Sequence, residues 1–509
     1  MGSRVPVCPG SEPILSSQIY TPRMTRPALL YGLAAAAVIT LHLATAGTLG
    51  FHTDELYYLD SGRHPALGYV DFPPLVPLLA RLDTALLGVT PWALRVLPAL
   101  LSGVLVVLFG AYARRLGASL PLQVLALLLG VTAPYLLAAN SVFQTVTFDQ
   151  VTWMVALYWF LCVVLDGRPW HWIALGATLG VGLEVKYTIA GLVAGIAVAV
   201  LTSAHLRAQL RTAAPWLAAA TTLLVWAPNL AWQVANGFPS LTYVTNHGGD
   251  ITAGDGVVSY LAVLGIELAL LLPLWVAGLV SLLRSPRLRP IAIGGAVPLV
   301  LFLFAGKGYY AAGTIPIVMV QGLLAISRLD RRRLRLGLQA AVVVASLLDF
   351  VLLLQLTLPI TPPSRLHATG LDAKSEVFAD SVGWDDVAGQ VTAIYEGLPE
   401  QQRSDTVIVS RYYGVPGAVQ VYGEAARLPA VVSPQLSDWY WLPPHVTATS
   451  ALMIDYRPSE VGWMCSSATL VAHLTVPYQV QGLEQGAPVT LCQLSAPLPT
   501  VWGRLRQFS

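Results

Sequence analysis

Of the 509 residues, 55% are hydrophobic and only 11% charged, and the formal net charge is +2. A soluble domain carries roughly 25% charged residues, so these figures exclude an ordinary cytosolic enzyme, a disordered chain and a nucleic-acid binder. The small net charge implies no polyanionic partner. What remains is a polytopic membrane protein.

A transmembrane helix needs about 20 apolar residues. In chain order such runs lie near 28–50, 91–113, 119–139, 149–166, 170–185, 187–204, 213–233, 257–283, 289–305, 309–327 and 336–358, which predicts about eleven spans. The first ends near Ala44-Thr45-Ala46, which resembles a signal-peptidase site. Its run is longer than a signal-peptide core of about 7–15 residues, so an uncleaved anchor is expected. With residues 1–27 inside, the cytoplasmic segments hold sixteen arginines, from Arg4 to Arg335. The opposite loops of the membrane region hold only Arg63, Arg81, Arg95, Lys186 and Lys307. That asymmetry orients the chain in the cytoplasmic membrane and puts 359–509 outside.

The loop 51–90 is more than a connector. Residues 54–62 suit a short helix, and Pro73-Pro74 can open a second through Leu87 with a broad leucine face, expected to lie in the interface. The region 359–509 opens with a Pro-rich linker and carries eight basic and thirteen acidic residues. Trp384 to Leu398 places Val387, Val391, Ile394 and Tyr395 on one helical face. Segments 406–410, 450–456, 470–475 and 489–494 read as strands, so a small α/β domain is predicted. Cys465 and Cys492 both fall here and can pair if this side is oxidising.

Ionisable groups at a membrane are the informative ones, and they collect at one end of the spans. They are Asp54-Glu55, Asp71, Asp149, Glu184, Lys186, His247 and Lys307, with Tyr57, Tyr58, Tyr69, Tyr187, Tyr309 and Tyr310 among them. A carboxylate can act as general base, and a lysine at headgroup depth suits a phosphate. The tyrosines can pack on a sugar or an isoprenoid chain. Each has a plainer reading: a helix-capping acid, a Lys186–Glu184 pair, an aromatic belt. A carboxylate–histidine metal site is chemically possible, but spacing alone gives it no support.

Several ordered segments carry a resemblance. They are Asp54-Glu55-Leu56-Tyr57-Tyr58, Gly68-Tyr69-Val70-Asp71-Phe72-Pro73-Pro74-Leu75, Phe148-Asp149-Gln150, Lys186-Tyr187, Pro228-Asn229-Leu230-Ala231-Trp232-Gln233, Asn246-His247 and Gly306-Lys307-Gly308-Tyr309-Tyr310. Together they resemble the GT-C glycosyltransferases, most closely the bacterial family 39 group related to protein O-mannosyltransferases and lipid A aminoarabinose transferases.

The resemblance implies a GT-C membrane body over 28–358 and an outer α/β domain over 359–509. It implies an inverting transfer of a hexose or pentose from a polyprenyl-phosphate donor to an extracytoplasmic acceptor: a protein, lipid or glycan, at a hydroxyl or amine. By the same analogy Asp54 is the base, Glu55 supports it, and Asp149 positions or polarises nearby groups. Lys186 and Lys307 would hold the donor phosphate, with Tyr58, Tyr187, Tyr309 and Tyr310 as donor contacts. Asp71 and His247 would bind substrate or a divalent metal ion. One departure stands out: where the lipid A enzymes carry a lysine before Pro-Pro, this chain has Phe72. A lipid-linked sugar transporter or flippase and a non-catalytic GT-C scaffold are the competing readings. The one-sided charges and lack of a visible repeat speak against transport.

Overall fold

The computed structural model describes residues 26–251, 255–305 and 308–508. Every apolar run named above is helical. The first is Arg26–Thr45, the second Pro91–Leu94 continued by Val96–Arg115, and the third Leu120–Thr132 followed by Pro134–Ala139. Then come Thr145–Asp166, Pro169–Leu183, Ile189–Thr202 and Ala214–Ala235. The last four are Asp255–Leu268 with Leu272–Arg284, Arg289–Ala305, Ile315–Ser327 and Arg332–Thr357. Among the described residues, six helices are long and apolar enough to cross a membrane by length and composition.

These helices approach closely where glycine faces a neighbouring backbone. A Cβ on Gly176 would sit 2.3 Å from the Ala218 carbonyl oxygen, and one on Gly278 would sit 1.9 Å from that of Val318. Small residues let helices touch in lipid, where apolar burial alone does not drive association.

Two further helices fill the loop after the first span. Thr53–Arg63 starts from a capping box, with the His52 side chain accepting from Asp54 N–H and the Glu55 carboxylate accepting from His52 N–H. This reciprocal arrangement satisfies amides that the helix itself leaves open. Leu75–Leu87 buries Val76 and Ala80 but exposes Leu78, Leu82, Leu86 and Leu87. That exposed row suits the interfacial position expected for it.

The C-terminal part is a five-stranded mixed sheet of order β2-β1-β3-β5-β4: β1 Thr406–Ser410, β2 Val431–Val432, β3 Ser450–Ile454, β4 Cys465–His473 and β5 Pro488–Leu494. β1 runs parallel to β2 and β3, whereas β5 is antiparallel to β3 and β4. The predicted helix spans Trp384–Glu396. Two strands differ from expectation. β2 has only two residues, too few for an alternation signal. β4 begins five residues earlier than read, because Ser466 and Ser467, which follow its first residue Cys465, are exposed and polar. The two cysteines of this part form the Cys465–Cys492 disulfide across β4 and β5.

The sheet domain does not hang free. One apolar cluster joins Phe51, Leu56 and Tyr57 to Val415, Ala418 and Leu452. Gly417 makes this approach possible, since a Cβ there would meet the Leu56 carbonyl oxygen at 2.8 Å.

Candidate active site at the joint of membrane body and sheet domain

The helix Thr53–Arg63 carries two adjacent acids into different surroundings. Asp54 lies on the half-buried side, at the positive end of the helix dipole. Its Oδ1 accepts from the Tyr413 hydroxyl at 2.8 Å, a residue 359 positions away in the sheet domain. The neighbouring Glu55 is fully buried and takes four donors: Arg95 Nε at 2.9 Å, Arg95 Nη2 at 2.7 Å, and the amides of His52 and Phe143 at 2.8 Å each. Arg95 spends its remaining N–H groups on the carbonyls of Ala46, Leu49 and Gly50. Glu55 therefore ties three segments together, a positioning rather than a reacting arrangement. Arg95 carried no signal in the sequence reading, which counted it as an outer-loop charge.

Asp71 stands on the turn that leads into Pro73-Pro74. Its Oδ1 accepts from the Tyr57 hydroxyl at 3.0 Å, and that hydroxyl accepts from the Ser437 amide at 3.0 Å. Ser437 Oγ accepts in turn from the Val70 amide at 2.9 Å. Burial pushes the Asp71 carboxyl up to about 7; the Tyr57 hydrogen bond opposes this, the Asp54 charge adds to it and Lys186 offsets it. Phe72 packs against Tyr57, Tyr58 and Tyr69, with ring centroids 5.1 Å from each. Phe72, noted above as the departure from the resemblance, is an aromatic core contact.

Asp149 is buried and oriented by two donors, Trp153 Nε1 at 3.1 Å and Thr188 Oγ1 at 2.7 Å. Lys186 Nζ sits 5.5 Å from the ring centre of Tyr309 and 5.0 Å from that of Tyr310, in cation–π range. Its charge also reaches Asp71 and Asp149. Tyr309 in turn lies within electrostatic reach of Asp54, and Tyr310 of Asp149. Tyr243, which the sequence reading did not select, faces Asp54, Asp71 and Tyr310 from the helix Pro239–Ile251.

Asp54, Asp71, Asp149, Lys186, Tyr309 and Tyr310 thus meet in one place. Tyr58 lies in the wall, within 6.3 Å of Tyr57 and 5.1 Å of Phe72. Tyr187 is a tie rather than a lining group: its hydroxyl donates to Asn229 Oδ1 at 2.8 Å and accepts from Gln233 Nε2 at 2.9 Å. Asn229 also donates to the Leu67 carbonyl, which holds the Asp71 turn against the helix Ala214–Ala235. Gly68 belongs to the same contact, because a Cβ there would meet Trp232 Cε3 at 2.5 Å. Lys307 and the side chain of His247 lie outside the described residues. No three His, Cys, Asp or Glu side chains gather as a metal ligand set among the described residues.

The sheet domain supplies Tyr413 and Ser437, which sequence reasoning missed. Neither sits in a motif, and only the folded joint brings them to Asp54 and Tyr57.

A family model described as dolichyl-phosphate-mannose-protein mannosyltransferase matches residues 71–232. Two solved structures share the fold over most of the chain. The crystal structure of ArnT from Cupriavidus metallidurans in the apo state is 16% identical, with a TM-score of 0.57, covering 91% of this chain and 97% of that one. The structure of ArnT from Cupriavidus metallidurans bound to undecaprenyl phosphate is also 16% identical, with a TM-score of 0.56, covering 92% of this chain and 98% of that one. No curated protein sequence matches the chain.

Proposed function

We propose that this chain is a GT-C glycosyltransferase, similar to the protein mannosyltransferases and ArnT, and that it transfers a sugar from a polyprenyl-phosphate donor to an acceptor outside the cytoplasmic membrane. One observation carries this reading. Asp54, Asp71 and Lys186 meet two tyrosines at one end of the apolar helices, beneath a polar sheet domain. The undecaprenyl phosphate bound in ArnT, whose fold this chain shares, supports the donor class. The Cys465–Cys492 disulfide supports an oxidising, extracytoplasmic location for the sheet domain.

In this mechanism the acceptor hydroxyl or amine attacks the anomeric carbon as the bond to the donor phosphate oxygen breaks. The configuration inverts, the acceptor proton passes to the Asp54 carboxylate, and polyprenyl phosphate leaves. Tyr413 orients Asp54 by its hydrogen bond. The Lys186 ammonium meets the charge that grows on the departing phosphate, the kind of fixed electrostatic help that matters most at such a site. Asp149 keeps the Lys186 surroundings anionic, held in place by Trp153 and Thr188. Glu55 acts through Arg95 to place the helix that bears Asp54. A divalent ion held by Asp71 and His247 is a further proposal.

The test is transfer of radiolabelled sugar from a panel of polyprenyl-phosphate donors by purified protein and membrane extract. Asp54→Asn should lower transfer by about 10²–10⁴ while the protein stays folded. Transfer that persists in this variant would move the base to Asp71 or Asp149. No transfer from any donor by folded wild-type protein would refute the reading.

A further inference from the structure

A cavity of about 420 Å³ lies at the end of the membrane helices opposite Asp54. The helix Thr145–Asp166 runs from one region to the other, with Asp149 and Asp166 about 25 Å apart at 1.5 Å per residue. The cavity is therefore remote from the candidate active site. Three separate parts of the chain bring one arginine each to its wall. Arg115 closes the helix Val96–Arg115, Arg287 stands between Leu272–Arg284 and Arg289–Ala305, and Arg328 follows Ile315–Ser327. Asp166 is the one acid among the lining residues.

Loop arginines that merely orient a membrane protein need no particular placement. These three are placed. Arg115 is fixed by its Nε on Cys162 Sγ at 3.3 Å and by its Nη2 on the Asp166 carboxylate. Arg287 is fixed by its Nη2 on the Leu165 carbonyl oxygen at 2.6 Å. A guanidinium has five N–H donors, so both keep most of theirs after these bonds. Asp166 balances the charge of Arg115. Arg287 and Arg328 have no acid partner among the described residues, which leaves two positive charges beside the cavity.

The neighbouring surface is apolar. Leu116, Leu165 and Leu288 supply the apolar part of the lining. The helix Leu272–Arg284, which leads into Ser285 and Arg287, exposes Leu272, Val276, Val280 and Leu283. Their spacing of four, four and three sets them in one stripe along that helix. A charged recess at headgroup depth thus adjoins a track for hydrocarbon.

We infer that this cavity binds the phosphate headgroup of an anionic phospholipid, whose acyl chain lies along the Leu272–Leu283 stripe. Arg287 and Arg328 meet the phosphate oxygens, and Arg115 offers its unused N–H groups. Basic recesses between membrane helices are suited to such headgroups, and guanidinium groups match phosphate geometry. The same two charges repel a choline ammonium, so a zwitterionic lipid is disfavoured.

The test is binding of fluorescently labelled phosphatidylglycerol to the full chain in neutral detergent, with unlabelled competitors. Saturable binding is expected, displaced by phosphatidylglycerol and not by phosphatidylcholine. Arg328→Gln and Arg287→Gln should each weaken it about fivefold. Arg328 is exposed, so that variant keeps the test valid even if Arg287→Gln misfolds without its Leu165 contact. Arg211→Gln removes the same charge from an exposed position outside the lining and should leave binding unchanged. An equal loss in Arg211→Gln would make the arginines a diffuse field and overturn the inference. Displacement by millimolar inorganic phosphate would assign the cavity to a free anion instead of a lipid. Equal competition by phosphatidylcholine, unaltered binding in both cavity variants, or no binding to wild type would also overturn it. None of these outcomes depends on sugar transfer, so the transferase reading is decided separately.

Discussion

Replacing Glu55 by Gln separates a holding role from a reacting one. The side chain keeps its shape, but the Arg95 guanidinium, 1% exposed, loses its counter-charge in a buried site. Breaking a buried pair by removing one partner costs about 3–5 kcal/mol. The amides of His52 and Phe143 also depend on Glu55 oxygens. If the Gln amide nitrogen turns toward either, that amide is orphaned at a further cost of about 1–3 kcal/mol. The expected loss is therefore about 3–8 kcal/mol, a large part of the stability of an ordinary domain. Adding Arg95→Met should recover part of the loss, but not all, because the carbonyls of Ala46 and Gly50 lose their donor. The assay is denaturant unfolding of the purified variants in detergent, followed by tryptophan fluorescence and combined as a double-mutant cycle. A Glu55→Gln protein that unfolds within about 0.5 kcal/mol of wild type yet has lost all sugar transfer would refute the argument and make Glu55 a reacting group.

Three further outcomes are expected. Lys186→Met should weaken transfer chiefly by slowing the departure of the phosphate, so kcat should fall by more than KM rises; a pure KM effect would assign the lysine to ground-state binding. Asp71, raised by burial to about 7, binds its proton more tightly in the folded state than in the unfolded one. It therefore subtracts stability as pH rises from about 4 towards 7, and Asp71→Asn should flatten that limb of an unfolding-midpoint profile. Cys465→Ser opens a loop whose ends are 27 residues apart. The chain-entropy relation gives about 3.5 kcal/mol for that closure, read as a lower denaturant midpoint that reductant reproduces in wild type and not in the variant.

Much of this architecture was legible because lipid imposes a simple code. Apolar runs of span length become helices, and polar groups that survive beside them are there for a reason. The GT-C resemblance rested on such groups, and both the mannosyltransferase family model and the ArnT fold agree with it. The joint was less legible. Arg95 looked like a loop charge, and only its distance to Glu55 reveals a buried anchor. Tyr413 and Ser437 sit in a short turn and a short helix of the sheet domain with no periodic or motif signal. Their meaning depends on contacts across more than 350 residues. β2 escaped for a related reason: two residues paired to β1 are defined by their partner, not by their own pattern.

The sequence distance across the joint also sets a clock. Asp54 emerges early in synthesis, and Tyr413 follows 359 residues later. At about 5–20 residues per second, that is roughly 20–70 s of translation. For that interval the helix bearing Asp54 is made without the hydroxyl that orients it, and the Tyr57–Ser437 bond is still further off. A ribosome stalled before residue 413 would leave apolar helices with an unfinished centre. The last fifth of the message therefore decides when Asp54 gains its partner, and the chain completes this joint only as its synthesis nears the end.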